Sequence, residues 1–219
     1  MKTLVISDLH LTPEIEEKKF LYLNKLFLSY DQIILNGDFW EGFLYSFDDF
    51  YNSSWNKLFP MLRQKNTVYI FGNHDKKIYN NLKKAGAFST IQTEKYEYSV
   101  KNKKFIFEHG DRLWRSESED INLSSTKFRN MVKIFSNLEA KLINVSGNLY
   151  QKGLKMINQQ VYHKVAPTLK NNEYFFFGHT HRQEVFKENR IYNSGVCKAG
   201  LSQYIVINED SIVAKEEVY

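Results

Sequence analysis

The sequence predicts an α/β fold of two stacked β-sheets with helices on the outside. Three observations lead to it. The first third alternates short β-branched runs with helical spacings, the later chain is rich in short strands, and the early runs each end in a polar cluster. Leu4-Val5-Ile6 reads as a buried strand. Residues 14–30 place Phe20, Leu23, Phe27 and Tyr30 at helical spacing behind Pro13. Ile33-Ile34-Leu35 is a second strand, Phe47 to Leu62 a second helix, and Val68 to Phe71 a third strand. This order implies a parallel sheet, whose ligands bind beyond the carboxyl ends of the strands.

The pattern then changes. Tyr96 to Val100 and Lys103 to Phe107 read as a hairpin, and Tyr174–Phe177, Arg190–Tyr192, Tyr204–Ile207 and Ile212–Ala214 as further strands. Between them, Phe128, Met131, Phe135, Leu138, Leu142 and Val145 step by three and four, an amphipathic helix. Ser146-Gly147-Asn148 breaks it, and Leu154, Ile157, Val161 and Val165 continue in a second helix up to Pro167. Residues 112–170 thus read as a helical hairpin inserted in one domain of residues 1–219.

Composition narrows the class. The 219 residues are 42% hydrophobic, 25% charged and 16% aromatic, the profile of a globular chain with a sizeable core. No apolar run approaches the ~20 residues that span a bilayer. The opening Met1-Lys2-Thr3-Leu4-Val5-Ile6-Ser7-Asp8 turns acidic too soon for a signal peptide. A single cysteine, Cys197, excludes an intrachain disulfide framework and a Cys-rich zinc site, and fits a reducing cytoplasm. The formal charge of +5 favours anionic partners, and its location is informative. Residues 112–170 hold ten Lys or Arg against four acids, whereas the remainder holds 20 against 21.

Five of the six histidines stand at expected strand ends, in Asp8-Leu9-His10, Gly72-Asn73-His74-Asp75, His109-Gly110-Asp111 and Gly178-His179-Thr180-His181, with Gly37-Asp38 between them. Imidazoles, carboxylates and an amide without thiolate suit Mn, Fe or Zn. In a strand, residues i and i+2 share a side, so Asp8 with His10, and His179 with His181, are expected to face one site. The donors outnumber what one ion needs. Two divalent ions sharing a carboxylate use them all, attract phosphate and acidify a bridging water, which predicts phosphoryl-ester hydrolysis by a metal-bound hydroxide.

These strings, in this order, resemble the calcineurin-like metallophosphoesterases over residues 8–181. The resemblance implies a four-layer α/β/β/α sandwich of two mixed sheets with a dinuclear site, Mn²⁺ ahead of Fe²⁺ or Zn²⁺. It assigns Asp8, His10 and His181 to the first metal, Asp38 to both, and Asn73, His109 and His179 to the second. It makes His74 the catalytic histidine, oriented by Asp75. Ser7-Asp8-Leu9-His10-Leu11, Gly37-Asp38-Phe39-Trp40-Glu41 and the helical insertion further resemble the UDP-2,3-diacylglucosamine pyrophosphatases, which carry a helical lid and release UMP and a lipid phosphate; that group has arginine where this chain has His74. The implied partners are a phosphorylated small molecule or lipid nucleotide and an anionic membrane surface on its cytoplasmic face, with no nucleic acid expected. A soluble phosphodiesterase or nucleotide phosphatase, and a non-catalytic scaffold of the same fold, are the alternatives. Arg182, Arg112 and Arg115 are candidate phosphate contacts. Trp40 and its aromatic neighbours either line a cleft or pack a helix start. The hairpin is either a lid or a solvated helix pair, and His163 lies in it without an assigned role.

Overall fold

The computed structural model describes residues 1–114, 126–145 and 147–219. In chain order the elements are β1 (Thr3–Ile6), α1 (Glu17–Leu28), β2 (Gln32–Asn36), α2 (Phe47–Tyr51), α3 (Phe59–Gln64), β3 (Val68–Ile70), α4 (Leu82–Ala85), β4 (Ile91–Thr93), β5 (Lys95–Val100), β6 (Lys103–Glu108), α5 (Asp111–Trp114), α6 (Thr126–Val145), α7 (Gly147–Val165), β7 (Glu173–Phe177), β8 (Glu184–Phe186), β9 (Ile191–Asn193), β10 (Cys197–Lys198), β11 (Leu201–Ile207) and β12 (Ile212–Val218).

They form two mixed sheets. The larger runs β10-β11-β1-β2-β3-β4, with β12 on β11. Its strands β1 to β4 are parallel, and β11 is antiparallel to β1. The smaller runs β5-β6-β7-β9-β8, with β6, β7 and β9 parallel. Strand alternation divides the core. Val5, Ile34 and Val68 face inward and meet Phe105, Phe107 and Phe176 of the second sheet. Leu4, Ile6, Ile33 and Leu35 face outward onto Leu23 and Phe27 of α1 and Phe50 of α2. On the far side Ile106, Phe175 and Phe177 pack on Val161 and Val165 of α7. The layer order is therefore helix, sheet, sheet, helix.

One expectation is corrected. The helix expected over 47–62 is three pieces: α2, a 3-10 turn over Ser54–Leu58, and α3. Ser46 and Asp49 close a capping box on α2, Ser53 Oγ accepts from Trp55 N and starts the turn, and Pro60 can stand only in the first turn of a helix. The apolar stripe of α6 faces solvent: Met131, Ile134, Phe135 and Leu138 are 46–66% exposed. They lie at i, i+3, i+4 and i+7, a single solvent-facing stripe. The other side of α6 meets the body, where Arg129 Nη2 donates to Leu44 O at 2.6 Å and Lys198 Nζ to Ser136 Oγ at 2.9 Å. No helix among the described residues is long and apolar enough to cross a membrane.

Candidate metal centre

The carboxyl ends of β1, β2, β3, β6 and β7 converge, and each parallel strand hands the chain to one of the five polar strings. The loops after β1 and β2 are zipped together by Asp8 N to Gly37 O (3.1 Å), Leu9 N to Asp38 O (2.9 Å) and Leu11 N to Phe39 O (3.0 Å). From behind, the buried Lys19 of α1 donates to Leu9 O at 2.7 Å.

The candidate ligand residues Asp8, His10, Asp38, His179 and His181 are not in strand conformation: their φ lies between 46° and 66°. This left-handed region is unfavourable for side-chain-bearing residues, though Asp, Asn and His tolerate it best. Asp8 and His10 do face one locus, but alternating left-handed residues aim them there, not the pleat of an extended strand. Such strain gathers where a site needs side chains in unusual directions. Close packing reinforces it. A Cβ on Gly72 would sit 2.2 Å from Asp38 Oδ1, and one on Gly37 2.2 Å from His109 Nδ1.

Three donor groups result: Asp8, His10 and His181; Asp38, His109 and His179; and His10, Glu41 and His74, which shares His10 with the first. In the first, His10 Nε2 lies 3.1 Å from His181 Nε2, which lies 3.2 Å from Asp8 Oδ1. In the second, His109 Nε2 lies 3.2 Å from both Asp38 Oδ2 and Asn73 Oδ1. Donors each about 2.1 Å from one ion stand roughly 3.0–3.4 Å apart, so these separations fit shared cations. Asp38 Oδ2 is also 3.9 Å from His10 Nε2, which places this carboxylate between the first and second groups.

Ring orientation points the same way. His10 Nδ1 faces Glu41 Oε2 at 3.1 Å, His109 Nδ1 faces Asn36 O at 2.9 Å, and His181 Nδ1 is bonded to Glu139 Oε1. When Nδ1–H donates outward to these oxygens, each Nε2 presents a lone pair inward. Charge is balanced within the groups. Burial would lower His181, but Glu139 and Asp8 beside it outweigh burial and raise it to about 10. Burial likewise opposes the charged form of His109, yet Asp38 holds it well above its usual value. Burial and the His109 charge lower His179 to about 3. Protons on His181 and His109 thus stand where cations can replace them.

His74 lies at the rim with its side chain 19% exposed, the ring packed on Phe43 at 4.0 Å between centroids. Its Nδ1 bonds Glu41 Oε1 at 2.8 Å, and its Nε2 is 4.0 Å from Asp38 Oδ2. The carboxylate on this ring is therefore Glu41, not Asp75 as expected. Asp75 instead braces the loops: Oδ1 accepts from Asp38 N and Gly72 N at 3.1 and 2.6 Å, and Oδ2 from Phe39 N and Tyr69 Oη at 2.7 and 2.8 Å. Its position inside the Asn-His-Asp string suggested the wrong neighbour, because the chain turns it back beneath Asp38.

Trp40 is core, 1% exposed, with Nε1 donating to Tyr69 Oη and Asn80 Oδ1 and its ring stacked on Phe50, so the helix-packing alternative holds. Arg112 turns outward to Glu94 at 2.8 Å. Arg182 is partly buried, with Nε 3.7 Å from Glu184. Arg115 lies outside the described residues. His163 is exposed on α7 against Tyr162.

Three charged residues escaped the sequence reading: Glu41, Lys198 and Glu139. Glu41 was visible only as the acid of an aromatic string. Lys198 had no signal. Glu139 is the lone acid between residues 121 and 172, a usable clue.

A two-sheet sandwich whose strand-end loops gather histidines and carboxylates into candidate metal-binding clusters defines a class of phosphoester-hydrolysing proteins. The calcineurin-like phosphoesterase profile matches residues 1–183, and the chain belongs to that family. Family membership and the clusters together support phosphoesterase activity. In fold the chain is similar to YfcE, a phosphoesterase from E. coli, at 14% identity and TM-score 0.50, covering 97% of this chain and 91% of that one. A conserved protein of Streptococcus pneumoniae is 16% identical at TM-score 0.42, covering 100% and 92%. Vps29 of Entamoeba histolytica complexed with Zn²⁺ is 12% identical at TM-score 0.44, covering 100% and 99%. No curated protein matches the chain.

Proposed function

We propose that the protein hydrolyses a phosphoester or pyrophosphate bond with two divalent cations, Mn²⁺ ahead of Fe²⁺ or Zn²⁺. Asp8, His10 and His181 would hold one, Asn73, His109 and His179 the other, and Asp38 would serve both. The observation that carries this reading is the place of Asp38 Oδ2, 3.2 Å from His109 Nε2 and 3.9 Å from His10 Nε2. When bound, the cations supply charge for the phosphoryl oxygens and lower the pKa of water at the site.

The chain's own groups do the rest. Glu41 fixes the His74 ring through Nδ1, leaving Nε2, 4.0 Å from Asp38 Oδ2, to donate a proton to the departing oxygen. Glu41 also fixes His10, so one carboxylate aligns a ligand and the proton donor together. Asp75 keeps the Asp38 and Gly72 backbones in register.

The substrate in this proposal is a nucleotide-linked lipid such as UDP-2,3-diacylglucosamine, cleaved to UMP and a lipid phosphate at the cytoplasmic face of a membrane. The exposed Met131-Ile134-Phe135-Leu138 stripe of α6 supports it, set in the stretch of net charge +6. A soluble nucleotide phosphodiester is the second reading, favoured by the polar residues with which α6 meets the body, Arg129, Ser136 and Glu139.

The test is UMP release from UDP-2,3-diacylglucosamine by the Mn²⁺-loaded protein, with bis(p-nitrophenyl) phosphate in parallel. Strong preference for the lipid nucleotide is the expected result. Turnover of the simple diester alone would discard the lipid. No turnover of any phosphoester with both cations bound would leave a scaffold.

A further inference from the structure

The helix pair grips the loop that carries His179 and His181 from two sides. On α7, the fully buried Asn158 accepts from Thr180 Oγ at 2.6 Å, between the two histidines, and donates to Arg182 O at 3.1 Å. On α6, Glu139 Oε1 bonds His181 Nδ1. Lys198 Nζ, from β10, holds the other oxygen of Glu139 at 2.8 Å and also reaches Ser136 Oγ at 2.9 Å. A cation, a carboxylate and an imidazole therefore stand in series from sheet edge to metal locus.

Two other inward-facing rings take their outward partner from the body: His10 from Glu41 and His109 from the Asn36 carbonyl. Of these three rings, His181 is the one whose partner rides on the inserted helix. A carboxylate on the distal nitrogen fixes the ring and raises its basicity toward a metal, and losing such a partner typically weakens binding 10–100-fold. The link runs both ways, since whatever α6 contributes to metal binding, bound metal returns to the seating of α6.

We propose that Glu139 is a positioning residue for His181, and that the helix pair is thereby a clamp whose seating on the body and the loading of the first metal locus are thermodynamically coupled. This rests on the reading of Asp8, His10 and His181 as cation ligands. It predicts that α6 is held down in the loaded enzyme and released more easily when the first locus is empty.

The probe is Co²⁺, titrated into the full-length protein by calorimetry and followed by its visible absorption, with hydrogen exchange of α6 as second readout. Wild type is expected to bind two ions and to slow exchange in α6 as the first locus fills. Glu139→Ala should weaken one binding event about 10–100-fold, leave the other within threefold, and uncouple α6 exchange from Co²⁺. Glu139→Gln keeps an acceptor for Nδ1–H and should fall between. Lys198→Met, which frees one Glu139 oxygen and touches no ligand, should weaken the same event less, and it serves if Glu139→Ala fails to fold. Two Co²⁺ bound by the alanine variant with wild-type affinity, and unchanged α6 coupling, would overturn the clamp alone. Failure of wild type to bind Co²⁺ would overturn the metal reading beneath it.

Discussion

Asp75→Asn tests whether the site depends on the brace beneath it. The carboxylate is fully buried and takes four hydrogen bonds, two on each oxygen. Asparagine keeps the shape and one oxygen, and its best orientation aims that oxygen at Asp38 N and Gly72 N. The NH₂ then meets Phe39 N and Tyr69 Oη. Tyr69 has an escape: its hydroxyl can accept from the amide and turn its own proton to Asn80 Oδ1, 3.3 Å away. Phe39 N–H has none, and a buried orphan of this kind costs roughly 2 kcal/mol. Loss of charge assistance on the two surviving bonds adds about 1 kcal/mol. The sum of about 3 kcal/mol lowers Tm by roughly 6–12 °C in a chain of this size. The assay is a thermal melt of metal-stripped protein, so that bound cation does not mask the loss. At pH 8 the wild-type side chain is ionised, since burial and the Asp38 charge raise it only to about 7. A fall of less than about 3 °C would refute the reasoning, because it would mean the four donors find other partners.

Three further outcomes are expected. His74→Ala lowers turnover roughly 10²–10⁴-fold at nearly normal metal content, the range for general acid–base catalysis, and kinetics with metal analysis check it. Asp38→Ala loses both metal and activity, and retention of two tightly bound ions on dialysis contradicts the shared carboxylate. Burial depresses the Lys19 ammonium below 10.5, so the folded state favours its neutral form. The stability this group contributes is then fully present above pH 10.5 and lost as pH falls through the depressed value. Wild type should therefore gain on Lys19→Met as pH rises toward 10.5, which melts at pH 7 and 9.5 decide.

The convergence of the candidate donors was legible in the sequence because their strings are local. Asp8, Asp38, Asn73, His109 and His181 each follow a strand that the apolar pattern marks, and in a parallel sheet the strand ends must meet. The two-sheet stack was legible for the same reason, since period-two runs such as Tyr96 to Val100 announce a face. What stayed hidden depends on tertiary partners. Asp75 was assigned to its sequence neighbour His74, yet its oxygens reach Asp38 and Phe39, far away in sequence. The regular seam of α6 marked an amphipathic helix, yet periodicity says only that one side differs from the other, not which side meets the body. The described residues put Met131 and Phe135 in solvent and Glu139 inward.

The same comparison explains why the centre needs so many outside supports. The strand rule that aims residues i and i+2 to one side gave the right pairing of Asp8 with His10 for the wrong reason. Both residues, like Asp38, His179 and His181, are left-handed, and each such residue costs of order 1 kcal/mol or more unless its surroundings over-determine it. The surroundings do so from three directions. Lys19 holds Leu9 between two strained ligands, Asp75 holds the backbone of Asp38 and its successor, and Asn158 holds Thr180 between the two histidines of the last loop. The third hold comes from the inserted helices. A helix pair whose outer face is apolar and whose inner face secures the last strained loop belongs to the scaffold of the candidate metal centre.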